Sequence, residues 1–296
     1  MTAQTTRPAP AWVAADVQLP PVDDAPLRAL RRRRALLQLA CVAVTLFMGF
    51  PVYLIALAAF SSRQTLNAFP KSLLPKAISS ETISAFLSST GVVPAFLNSL
   101  AVGVGTLVLA LLIGAPAGYA IARFAFRGRE PYQLLMLMTR ALPIVVLSIP
   151  LAQIFLTAGL YDSVLAVTLV HAALALPTTI LITASVFVSV PRDVEEAAQV
   201  FGCTRFQAFR RVVVPMALPG IAASAIFTFV LSWNEILAAA VLTLNNRTLP
   251  AQVLTSLSDS PLAFRFAGGF ALVVPALLFI LLMRRYLLNM WGSTIR

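Results

Sequence analysis

The sequence is poor in the groups that carry chemistry. Its 296 residues include one histidine and two cysteines, and Asp, Glu, Lys and Arg together make up only 11%. Cys41 and Cys203 have neither metal-ligand spacing nor the look of a disulfide framework. There is no G-x-x-x-x-G-K-[ST] phosphate cradle, no HExxH, no CxxC and no nucleophile elbow, and one histidine leaves little acid–base machinery. Catalysis by this chain is therefore not expected. Soluble domains carry roughly 25% charged residues. A chain with 11% charged and 59% hydrophobic residues, and a mean hydropathy of +0.88, reads as one integral membrane unit.

In place of charge there is apolar length. Runs at 35–60, 95–122, 133–156, 164–188, 218–242 and 267–283 reach or approach the roughly 20 residues that cross a bilayer core. Uninterrupted apolar runs satisfy their backbone as helices, whereas barrel strands alternate. The expected fold is all-α and polytopic, with six transmembrane helices in one domain over 35–286. Residues 1–34, rich in Pro and Ala and ending in Arg28 and four arginines at 31–34, read as a disordered basic tail, with at most a short interfacial turn over 26–34. The run that follows exceeds the roughly 7–15 residues of a signal h-region, so it reads as an uncleaved first span. Residues 287–296 form a short C-terminal tail.

The net charge of +11 invites a nucleic-acid reading, which the positions of the charges answer. With the N-terminus inside, 16 of the 22 Lys and Arg residues fall in cytoplasmic segments, five outside, and one, Arg140, within a span. This is the positive-inside asymmetry, with both termini cytoplasmic. The basic charge flanks spans and forms no groove with interleaved aromatics. Beside a span, the cluster at 28–34 suits anionic lipid heads.

One polar interlude stands apart, PRDVEEAAQVFGCTRFQAFRRVVVPMALP at 191–219, placed in the cytoplasm between spans four and five. Pro191 suits a first helical turn, and Asp193, Glu195 and Glu196 favour that end electrostatically. Val194, Ala197, Ala198 and Phe201 fall at i, i+3, i+4 and i+7 and give a short helix one apolar face. Gly202 reads as its C-terminal break and Thr204 as the cap of a second short helix carrying Phe206 and Phe209, which Pro215 ends. A rigid short helix between two spans can carry a push from a partner protein to both. An ordinary helix-turn-helix loop is the plainer alternative.

Glu196-Ala197-Ala198, three residues, Gly202, nine residues, then Val212-x-Val214-Pro215 resembles the EAA loop of ABC-importer permeases. Valines stand where that family has isoleucine and leucine. Asn98-Ser99-Leu100 resembles the start of the permease core domain, and Tyr119-Ala120-Ile121-Ala122-Arg123-Phe124 is similar to the end of that helix in carbohydrate permeases. Thr139-Arg140-Ala141-Leu142-Pro143, Ser232-Trp233-Asn234-Glu235 and Arg247-Thr248-Leu249-Pro250 are similar to the maltose-type branch, and within it to the second permease. The likeness covers residues 35–286, and the C-terminus departs from the branch's Gly-rich tail. The resemblance implies a permease of the bacterial inner membrane, working by alternating access with a second permease. It further implies two ABC ATPase subunits, which bind the ATP and Mg, and an extracytoplasmic binding protein that delivers a sugar, oligosaccharide or polyol. It implies that Val194, Glu195, Glu196, Ala197, Ala198, Phe201, Gly202 and Phe206 form the ATPase-docking helix and its surroundings. The same machine with a non-carbohydrate cargo, or a self-contained secondary transporter, are the alternatives. The second would show matching halves with paired broken helices, and no internal repeat is visible.

Polar residues within the spans are the candidate pathway. Arg140 lies about eight residues into its run, where a charge faces a partner or a wet cavity, or else snorkels. Asn234 and Glu235 can hydrogen-bond sugar hydroxyls from a cavity wall, and Trp233 can stack on a sugar ring or anchor at the interface. His171 reads as an interhelical contact rather than a metal ligand. Pro116, Pro143, Pro150, Pro177 and Pro275 are expected kinks.

Overall fold

The computed structural model describes residues 25–69, 73–75, 78–257 and 260–292. Among them the structure is helical, with one isolated bridge between Ser61 and Ile78. The chain divides into two units, 1–51 and 52–296.

The described part of the first unit belongs to α1 (Ala25–Ala59). Leu, Ala and Arg are strong helix formers, Pro26 sits in the first turn, and no Gly or Pro follows until Gly49. The arginines at 31–34, expected in a disordered tail, are therefore helical and continuous with the first span. The remainder of that tail, 1–24, lies outside the described residues.

The second unit follows as α2 (Arg63–Asn67), α3 (Glu81–Leu87), α4 (Val92–Arg123), α5 (Arg129–Thr139), α6 (Ile144–Thr157), α7 (Val164–Ser189), α8 (Arg192–Val200) and α9 (Arg205–Ala208). A π-helical turn (Phe209–Val213) then leads into α10 (Val214–Asn234), α11 (Leu237–Leu242), α12 (Leu249–Leu257) and α13 (Leu262–Gly292). Among the described residues five helices are long and apolar enough to span a membrane, or six if α5 and α6 count as one broken span.

Two runs that read as continuous are interrupted. The run at 133–156 is α5 and α6, bent by 90° across residues 140–143. Pro143 donates no hydrogen bond and disfavours the helical conformation of Leu142. The run at 218–242 is α10 and α11, separated where Glu235 turns extended, with ψ of 124°. No proline or glycine marks that second break. At the other end, α13 runs through to Gly292, so helix replaces most of the expected C-terminal tail.

Lipid tails are as apolar as leucine, so helices associate in a membrane through close packing rather than hydrophobic burial. The main seam joins α4 to α7 and sets glycines against threonines. A Cβ at Gly105, Gly114 or Gly118 would come within 2.8, 2.8 or 2.2 Å of Thr168, Thr179 or Thr183. The Thr183 hydroxyl in turn lies 3.1 Å from the Gly114 carbonyl. Smaller apolar clusters join α6, α7 and α11, and α3, α4, α10 and α13.

Candidate functional site

The α8 loop is built by local rules. Pro191 is the N-cap residue, Asp193 and Glu195 occupy the first turn, and Gly202, at φ 90°, stops the helix in the left-handed region open to glycine. Thr204 and Gln207 close a capping box, with the Gln207 N–H donating to Thr204 Oγ1 at 3.3 Å and the Thr204 N–H to Gln207 Oε1 at 3.0 Å. Pro215, expected to end the second helix, does not. The preceding π turn makes the wider bond from the Val214 N–H to the Phe209 carbonyl, which lets the helix continue past a residue without an N–H.

One side of this loop is open and apolar. Val200, Phe201 and Phe206 are 85%, 88% and 69% exposed, and Val194, Glu196, Ala197 and Gly202 are also exposed, with Ala198 half-buried. Glu195 alone among the eight docking candidates is buried. Its Oε2 accepts from Arg123 Nε at 2.9 Å, and its Oε1 accepts from the Tyr119 hydroxyl. Arg123 Nη2 also donates to the Val190 carbonyl at 2.9 Å. The Tyr119 ring lies among Phe124, Phe187 and Phe209.

A second site forms where the two broken helices meet. A cavity of about 1170 Å³ is lined by Arg140 and Pro143 at the first break, by Asn234, Glu235 and Ile236 at the second, and by Ile113 of α4. Chain breaks at membrane depth leave backbone groups unpaired by helix and are tolerated where they are covered by protein or line a wet cavity. Arg140 caps the C-terminus of α5, is exposed, and makes no side-chain hydrogen bond or ion pair among the described residues. Asn234 donates to the Val230 carbonyl at 2.9 Å, which leaves its amide oxygen for the cavity.

Glu235 is engaged on both oxygens. It accepts from the N–H groups of Leu237 at 3.1 Å and Ala238 at 3.0 Å, so it caps α11 and creates the break itself. Oε2 lies 3.2 Å from His171 Nε2, and His171 Nδ1 lies 2.9 Å from Ser232 Oγ. His171 is fully buried and makes the interhelical contact expected of it. Its role in holding Glu235 was not legible, because 64 residues separate the two.

Trp233 must be removed from the pathway candidates. It is 2% exposed, donates from its indole N–H to the Leu272 carbonyl at 2.9 Å and stacks on Phe229. It packs α10 against α13 and does not line the cavity.

At the end of α7 away from α8, Asp162 staples the α6–α7 turn to residues 244–246. Its Oδ1 accepts the N–H groups of Leu244, Asn245 and Asn246 at 2.8–3.0 Å, and Oδ2 accepts from the Asn245 amide at 3.1 Å. Burial works against its ionisation, but these hydrogen bonds outweigh burial and hold the carboxyl below its ordinary value.

Residues 110–288 match the family model described as "Binding-protein-dependent transport system inner membrane component". The chain is 30% identical over 248 residues to the trehalose transport system permease protein SugB of Mycobacterium tuberculosis, covering 81% of this chain and 90% of that one. It is 33% identical over 196 residues to the diacetylchitobiose uptake system permease protein DasC of Streptomyces coelicolor, covering 66% and 71%. The fold is similar to that of a chain of a bacterial ABC transporter involved in import of the acidic polysaccharide alginate. The TM-score is 0.63 at 20% identity, over 90% of this chain and 98% of that one. With its apolar spans, this chain belongs to the family of inner-membrane components of binding-protein-dependent transport systems, and is a multi-pass permease subunit of the cell membrane.

Proposed function

We propose that the chain is one of two permease subunits of an ATP-binding-cassette importer, passing a sugar, oligosaccharide or polyol by alternating access. The cavity carries this reading. Two chain breaks from different helices line it and contribute the Arg140 guanidinium, unpaired among the described residues, the Asn234 amide and the held Glu235 carboxylate. Donors and acceptors of that kind suit a polyhydroxylated solute, and the relatives named for trehalose and diacetylchitobiose support the class. Broken helices alone suit a self-contained secondary transporter equally well. Family membership and the apolar surface around α8 favour the importer.

In this reading α8 is the coupling helix and lies in the cytoplasm, with both termini, as the distribution of Lys and Arg supports. Val194, Glu196, Ala197, Ala198, Phe201, Gly202 and Phe206 meet the ATPase, which binds ATP and Mg. A binding protein delivers solute to the opposite face. The test is co-expression with a second permease, the ATPase and the binding protein, followed by ATP hydrolysis and uptake assays with labelled trehalose and diacetylchitobiose. Phe201→Asp is expected to abolish co-purification of the ATPase while the chain still inserts. A chain that transports without ATP and ignores Phe201→Asp refutes the reading.

A further inference from the structure

α8 has nine residues, too few to hold a helix without tertiary support, and most of its surface is exposed. Its covalent neighbours are α7 on one side and, through α9 and the π turn, α10 on the other. A push on α8 reaches those two helices through the chain. It reaches α4 through a different connection, the buried cluster at the end of that helix.

There Arg123 is bonded at once to Glu195 of α8 and to the Val190 carbonyl at the end of α7. Tyr119, one turn earlier on α4, donates to the other oxygen of the same carboxylate. The ion pair is shielded, with side-chain exposures of 7% and 10%, and the rings of Phe124, Phe187 and Phe209 surround Tyr119. A shielded pair with directional bonds at both oxygens is stiff, because displacing either partner leaves an uncompensated buried charge. Beyond it, α4 continues to the glycine–threonine seam with α7 and to Ile113 on the cavity wall.

We propose that Arg123, Glu195 and Tyr119 form a clamp that locks α8 to α4, so that displacement of α8 by a partner is passed along α4 to the cavity. The proposal rests on the reading of α8 as the ATPase-docking helix. It divides the two adjacent glutamates by role. Glu196 faces outward toward the partner, while Glu195 is a positioning residue that faces inward and never meets it. The same clamp gives a physical reason for tyrosine and arginine four residues apart at the end of α4, where both reach one carboxylate from one helix face.

The test reads motion rather than stability and needs no identified solute. Spin labels replace exposed Leu112 on α4 and Ile149 on α6, with Cys41 and Cys203 substituted, in the complex of this chain with its second permease and ATPase. The wild-type distance is expected to change when ATP and vanadate are added. Arg123→Gln and Glu195→Gln are expected to keep the ATPase bound and the nucleotide trapped, but to lose most of that change. Arg123→Lys, which keeps the charge without the fork, is expected to fall between. A full distance change in assembled Arg123→Gln or Glu195→Gln overturns the proposal. If neither variant assembles, Tyr119→Phe decides, since it removes one hydroxyl and keeps the ring: a reduced change supports the clamp and a full one overturns it. If the wild-type chain binds no ATPase, the docking reading fails first and the clamp falls with it.

Discussion

A methyl group placed at Gly114 measures how closely α4 and α7 approach. It would stand 2.8 Å from Thr179 Cγ2, 3.3 Å from Thr179 Cβ and 3.7 Å from Ile180 Cγ1. Thr179 cannot swing aside freely. Its side chain is β-branched, and its hydroxyl is shared between the Ala175 carbonyl at 3.0 Å and Thr228 Oγ1 at 2.9 Å. Gly114→Ala should therefore part the helices, and because Thr179 is held in place the overpacking cost falls in the upper part of the usual range, about 2–3 kcal/mol. Better helix propensity returns about 1 kcal/mol, for a net loss of about 1–2 kcal/mol. That corresponds to several degrees in Tm, on the scale of roughly 2–4 °C per kcal/mol for a chain of this size class. Thr179→Ser removes the colliding methyl and keeps the hydroxyl bonds, so the double variant should recover about 1 kcal/mol relative to the sum of the singles. Gly118→Ala should not be rescued in this way. Its Cβ would meet the Ala184 backbone nitrogen at 2.8 Å and the Ile180 carbonyl at 3.0 Å, so Thr183→Ala leaves backbone collisions in place. Thermal unfolding in one detergent, followed by tryptophan fluorescence, reads the single variants and both doubles. A Gly114→Ala chain as stable as wild type, or a double variant as poor as the summed singles, refutes the close seam.

Trp233→Phe should lower Tm by the worth of one buried hydrogen bond, about 1 kcal/mol, and leave the KM for solute uptake unchanged; a raised KM returns Trp233 to the pathway. Asn234→Ala should do the reverse, raising KM roughly fivefold for one lost solute hydrogen bond with Tm unchanged. The Asp162 staple has a depressed carboxyl pKa, so its stabilisation is complete above the ordinary value of 3.8 and is lost only as pH falls through the lower folded-state value. Protection of the Leu244, Asn245 and Asn246 amides against hydrogen exchange should hold down to about pH 4, and an onset of opening near pH 6 counts against the staple.

Features set by neighbours in the chain were legible in the sequence. Apolar runs marked the spans, Gly202 marked the end of α8, and Thr204 marked the cap of the helix that follows. Pro143 was read as a kink, although nothing local fixed its 90°. The break at Glu235 had no such signal. At that break the carboxylate reaches forward to the N–H groups of Leu237 and Ala238, steadied by a histidine 64 residues away. The α8 clamp was hidden for the same reason, since Arg123 and Glu195 lie 72 residues apart.

The two assignments that went astray share a simpler cause, and it was available in advance. Successive residues on a helix of 3.6 residues per turn point about 100° apart, so a run of polar and aromatic neighbours cannot all face one way. In Ser232-Trp233-Asn234-Glu235 the tryptophan turns toward α13 while Asn234, one step on, reaches the cavity. In Glu195-Glu196 the first carboxylate turns inward to Arg123 and the second is exposed. Treating each motif as a single surface merged a packing residue with a cavity-lining one, and a buried, paired carboxylate with an exposed one. Of each adjacent pair, the residue with long-range bonds inside the chain holds the framework, and its neighbour is left for solute or partner. Under the proposed function, that rule leaves Asn234 for solute and Glu196 for the ATPase, while Trp233 and Glu195 hold the framework.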